Sequence, residues 1–77
     1  GDFFKARDVM IKLRTIKGLS ALEILKEIYR RILDMDIAPN LKVKFVDRIA
    51  TVEFRLVEGS DEELQLEALL AMMSLLK

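Results

Sequence analysis

The chain has 77 residues, enough for one domain spanning 1–77, and a chain this short buries only ~60% of its unfolded surface. With 52% hydrophobic and 34% charged residues it suits amphipathic helices and argues against intrinsic disorder. Lys and Arg number 13 against 13 Asp and Glu, so no global field draws it to nucleic acid or acidic lipid; with neither His nor Cys, disulfides, Ser–His and Cys–His nucleophile pairs and the usual zinc sites are excluded.

Gly18, Pro39 and Gly59 separate four stretches of helical periodicity. In the first, from about Phe3 to Ile16, Phe3, Ala6, Met10 and Leu13 recur at helical spacing, and Val9 and Ile16 widen the stripe. Asp2 is its candidate cap. Lys12, Arg14 and Lys17 load the C-terminal end with the charge the helix dipole favours, and Gly18 fits a left-handed stop followed by Leu19. The second opens on Ser20, with Glu23 three residues on as a capping box. Leu25, Ile28 and Ile32 centre its apolar face, flanked by Leu22, Ile24, Tyr29 and Leu33.

Pro39 suits the first position of the third helix, which runs to about Glu58. Leu41, Phe45, Ile49, Val52 and Leu56 form one stripe, and Val43, Ala50, Phe54 and Val57 a second. Apolar on two sides, this helix is expected to be central. Arg55 has two readings, an interface residue or an intrahelical partner of Glu58. Gly59 ends the helix; Ser60 with Glu63 predicts a second capping box, and Asp61, Glu62 and Glu63 place negative charge at the start of the fourth helix. There, eight of the nine residues from Ala68 to Leu76 are apolar. A helix apolar nearly all round is buried on more than one side, and four helices in so short a chain leave part of that face for a partner.

No catalytic constellation emerges. Ser20 and Ser60 read as caps, Tyr29 as a core-edge residue, and no clustered glycines form a phosphate loop. Asp34-Met35-Asp36 begins like a calcium loop, but Pro39 and Phe45 stand where that loop needs Gly and Glu. The basic pairs, such as Arg30 and Arg31 or Lys42 and Lys44, sit among acids and read as solvated helix faces. The apolar run is far short of the ~20 residues that span a bilayer, and no signal peptide opens the chain. Without a disulfide staple an intracellular setting is expected, and Gly1, not a natural initiator, suggests excision from a longer protein.

Glu53-Phe54-Arg55-Leu56-Val57-Glu58-Gly59 followed by Gln65-Leu66-Glu67-Ala68-Leu69-Leu70-Ala71 resembles the C-terminal end of the archaeal replication factor C small subunit family. Gly1-Asp2-Phe3-Phe4-Lys5-Ala6-Arg7, the turn at Gly18-Leu19-Ser20, and Leu41-Lys42-Val43-Lys44 agree, so the resemblance covers nearly the whole chain. It departs at Ala50, where Gly is expected, at Ser60-Asp61, where Ala-Asn is expected, and at Ala21, where Gly is common.

The resemblance implies an all-α, compact bundle of four to five helices, the collar domain of a clamp loader. Such an assembly opens a sliding clamp and places it on primed DNA in an archaeal-type cytoplasm. Its partners would be the small and large clamp-loader subunits, or a second copy; sliding clamp and DNA would be met only through the full assembly, and no membrane. ATP and Mg belong to the AAA+ part of the full-length subunit, so no cofactor and no catalysis are expected here. Candidate interface residues are Leu66, Leu69, Leu70, Met73 and Leu76, divided between core and interface, with Phe54, Arg55 and Glu58 nearby. The alternatives are a small helical DNA-binding or adaptor module, and a small helical enzyme with a polar pocket between helices, resembling a chorismate mutase in size and class only.

Overall fold

The local signals at the helix ends act as read in most places. In the computed structural model, which describes residues 2–76, the chain forms α1 (Phe3–Thr15), α2 (Ala21–Asp34), α3 (Pro39–Val57) and α4 (Glu62–Leu75). Asp2 caps α1, its Oδ1 accepting the Lys5 N–H at 3.1 Å. Gly18 takes φ +70, and the Leu19 N–H returns to the Leu13 carbonyl. The capping box of α2 is complete, with the Glu23 N–H donating to Ser20 Oγ at 3.1 Å and the Ser20 N–H to Glu23 Oε1 at 3.0 Å. Lys42 Nζ reaches from α3 to the Leu33 carbonyl at 2.8 Å, satisfying one of the orphan acceptors at the end of α2.

The α3–α4 junction corrects one expectation. Gly59, at φ +100, ends α3 with paired bonds, its own N–H to the Leu56 carbonyl and the Ser60 N–H to the Arg55 carbonyl. That closure takes Ser60 into the turn, so the cap falls one residue later. Asp61 Oδ1 accepts the Leu64 N–H at 2.8 Å, and the expected Ser60–Glu63 box does not form.

Packing corrects another. The core consists of Met10 of α1, Ala21, Ile24, Leu25 and Ile32 of α2, Phe45, Ile49 and Val52 of α3, and Leu66 and Leu69 of α4, with no buried polar residue among the described ones. The central helices are α2 and α4, each touching the other three, whereas α3 does not touch α1. The second apolar stripe of α3 therefore faces solvent rather than a neighbour. The radius of gyration, 11.9 Å, is near the ~11.5 Å of a compact chain of this length.

Two ion pairs join α1 to α4: Arg7 Nε to Glu67 Oε1 at 3.1 Å and Arg14 Nη2 to Glu62 Oε1 at 2.7 Å. Ascending α1 pairs with descending positions of α4, so the two helices run antiparallel. Among the described residues no helix is long and apolar enough to cross a membrane.

Candidate interaction surface

Helix α4 carries the apolar run, so the division of its leucines decides what remains for a partner. Leu66 and Leu69 are 0% exposed and belong wholly to the core. As interface candidates they are withdrawn, because three neighbouring helices already cover them. Leu70 and Met73 are half-buried, Leu76 is exposed, and Leu75, not among the candidates, is 84% exposed. Leu64, at the other end of the helix, is also exposed.

Leu70 and Met73 share a groove of about 730 Å³ with Val9 and Leu13 of α1 and with Ile24, Ile28 and Ile32 of α2. Its floor is apolar and its rim is a cluster of α2 charges. Glu27 accepts from both Arg30 Nη1 and Arg31 Nε, each at 3.0 Å. These bonds, from Arg31 first and then Arg30, hold the Glu27 carboxyl below its ordinary pKa. Glu23 is lowered too, chiefly by the Ser20 backbone N–H and then by the Ser20 side chain.

Both carboxyls have folded pKa values below their unfolded ones. Their contribution is therefore complete above the unfolded pKa and is lost as pH falls through the folded value. We expect Glu23→Gln and Glu27→Gln each to flatten the fall in thermal midpoint between about pH 6 and about pH 3, and added salt to weaken the difference for Glu27. Identical acid slopes in wild type and variants would contradict this. Sequence reading placed Val9, Leu13 and Ile28 on core-facing stripes. Val9 widening the α1 stripe was the one local hint; the groove itself forms between residues of α1, α2 and α4 that no single helix pattern brings together.

Phe54, Arg55 and Glu58 lie elsewhere, on the outer side of α3, and none of them lines the groove. Phe54 is 64% and Val57 70% exposed, with Val43 and Ala50 exposed beside them. The candidate residues thus fall into a core pair, a groove pair, the end of α4 and the α3 ridge, rather than one patch. Arg55 forms no ion pair with Glu58, and among the described residues neither has a charged partner. No group of three or more Asp or Glu among the described residues is placed to hold a metal ion.

The sequence profile of the replication factor C C-terminal domain family matches residues 1–72. Over 76 residues the chain is 40% identical to the replication factor C small subunit of Archaeoglobus fulgidus, covering 99% of this chain and 24% of that protein. The same-named protein of Methanocaldococcus jannaschii is 43% identical over 76 residues, 99% of this chain and 4% of the relative. That of Sulfurisphaera tokodaii is 45% identical over 73 residues, 92% of this chain and 22% of the relative. The chain therefore spans a quarter or less of the length of these curated relatives.

Proposed function

The chain belongs to the family of replication factor C C-terminal domains, and from that premise we propose that it is the collar, or oligomerisation, module of a DNA-replication clamp-loader small subunit. It holds small and large subunits together in the pentamer. The sliding clamp and primed DNA are met through the full assembly, inside the cell. ATP and Mg are the business of an AAA+ part outside these residues, and this module takes no catalytic role.

The observation that carries the reading is apolar surface left over on α1, α3 and α4. Phe4, Val43, Phe54, Val57 and Leu75 are each more than half exposed in a chain with abundant charged residues to place there instead. Scattered exposed leucines are ordinary, but an outward stripe on a helix whose other side is already packed is a mark of a protein contact.

Light scattering across a concentration series tests the proposal, with the chain alone and mixed with a full-length archaeal replication factor C small subunit. Growth of mass with concentration, or a complex with the full-length subunit, is expected. A strict monomer that also ignores the full-length subunit overturns the collar role.

A further inference from the structure

We propose that the outward face of α4, with a row of cations on α3 beside it, is a docking seam for an acidic amphipathic helix of a different protein. This contact is additional to the one between clamp-loader subunits and does not depend on it.

The apolar half of the seam lies on α4. Leu64, Ala68, Ala71 and Leu75 follow one another in steps of four, three and four residues, so they line one face of the helix over about 16 Å. That face turns away from the core. Leu66 and Leu69, on the opposite side, are buried, while Leu64, Ala68 and Leu75 are exposed and Ala71 is half-buried. Alternating steps of four and three are the spacing a second helix packs against, and the central alanines admit its close approach between the two leucines.

The charged half lies on α3. Lys44, Arg48 and Arg55 take the same steps, with Thr51 completing the row. All three cations are exposed, and among the described residues none has an ion-pair partner. Their flank follows from the neighbours of α3, which touches only α2 and α4. Helix α2 takes the flank of Val46, Ile49 and Glu53, which share a small pocket with Leu25 and Tyr29. Helix α4 therefore takes the flank of Leu41 and Val52, and the cation row runs along its edge. The two helices form a hairpin about Gly59, so positions equally far from the turn come abreast: Arg55 by Leu64, Arg48 by Ala71 and Lys44 by Leu75. The acids of α3 nearest the row, Asp47 and Glu58, stand on its far side, away from α4. On α4, Glu62 and Glu67 are spent on Arg14 and Arg7 of α1.

An apolar row with an unspent cation row along its edge fits a helix of the opposite pattern, an apolar stripe bordered by Asp or Glu. A nucleic-acid backbone would engage the cations and leave the leucines wet. Two copies meeting seam to seam about a two-fold axis across α4 would set cation row against cation row.

The probe is a synthetic amphipathic helix with Leu at the same spacing and Glu borders, compared with a counterpart bordered by Lys; fluorescence anisotropy reads the affinity of each. The Glu-bordered peptide is expected to bind about tenfold or more tighter, a difference that added salt erodes. Lys44→Glu combined with Arg48→Glu is expected to reverse the preference, and Ala68→Gln to weaken whichever peptide binds; all three positions are exposed. Circular dichroism verifies the fold, and light scattering is expected to give these variants the mass of the unaltered chain. Equal binding of the two peptides, binding of neither, or a preference that survives the charge reversal overturns the proposal. So does a single-stranded oligonucleotide or a phosphatidylglycerol vesicle that binds through Lys44 and Arg48 more tightly than the Glu-bordered peptide. A fall in mass on charge reversal also overturns it, because the face would then lie between copies, and the collar reading would stand. A chain that stays monomeric and ignores the full-length subunit, yet shows the reversal, supports the seam and removes only the collar reading.

Discussion

Leu69→Ala is expected to cost about 2–5 kcal/mol, while Leu75→Ala, six residues on in the same helix, stays within about 0.5 kcal/mol. Leu69 is fully enclosed, and Leu75 is 84% exposed. Truncating Leu69 removes transfer free energy and leaves a cavity walled by three other helices; truncating Leu75 removes contact with water. At ~0.05–0.15 kcal/mol per residue the whole chain is stable by about 4–12 kcal/mol, so the first change consumes a large share. Urea denaturation followed by circular dichroism, at a concentration low enough to suppress association, measures both. Equal losses would mean that α4 is rotated away from the orientation described.

The second large effect is expected at Gly59. Its φ of +100 lies outside the narrow left-handed region open to residues with a Cβ, whereas Gly18, at +70, sits at its edge. A Cβ built at either position meets no atom within 4 Å, so the cost is backbone strain alone. Gly59→Ala should therefore destabilise by about 1–2 kcal/mol, and Gly18→Ala by less. Gly18→Asn should be milder still, because Asn tolerates that conformation. Thermal unfolding of the three variants gives the ranking, and Gly18→Ala proving the costlier alanine change would contradict it. The two bonds that close α3 also set where α4 begins, so relaxation at Gly59 would shift Leu66 and Leu69 out of register with Phe45 and Val52.

Those two sites also divide what was legible from what was not. Caps and stops depend on a few neighbouring residues, so Asp2, Ser20 with Glu23, Pro39 and the two glycines could be read directly. Ser60 misled because it matches the same local rule as Asp61. Only the closing bonds after Gly59, which take Ser60 into the turn, choose between them. The apolar character of α4 was legible, but not which of its residues turn inward. Leu66, Leu69, Leu70, Met73 and Leu76 sit on a helix apolar on nearly all sides, and such a helix has no polar strip to indicate which way it faces.

The amino-acid sequence by itself determined the four helices, most of their ends, the all-α class and the family to which the chain belongs. These follow from short-range spacing, backbone preference and motifs. The tertiary structure alone decided that α2 and α4, not α3, stand at the centre, that the Val43–Val57 stripe faces outward, and that Leu66 and Leu69 are core while Leu70 and Met73 open onto a groove. The physical reason is that periodicity specifies how apolar residues are arranged around one helix axis. Which of two apolar sides is buried depends on where the other helices pack, and that is set by contacts between residues far apart in the chain.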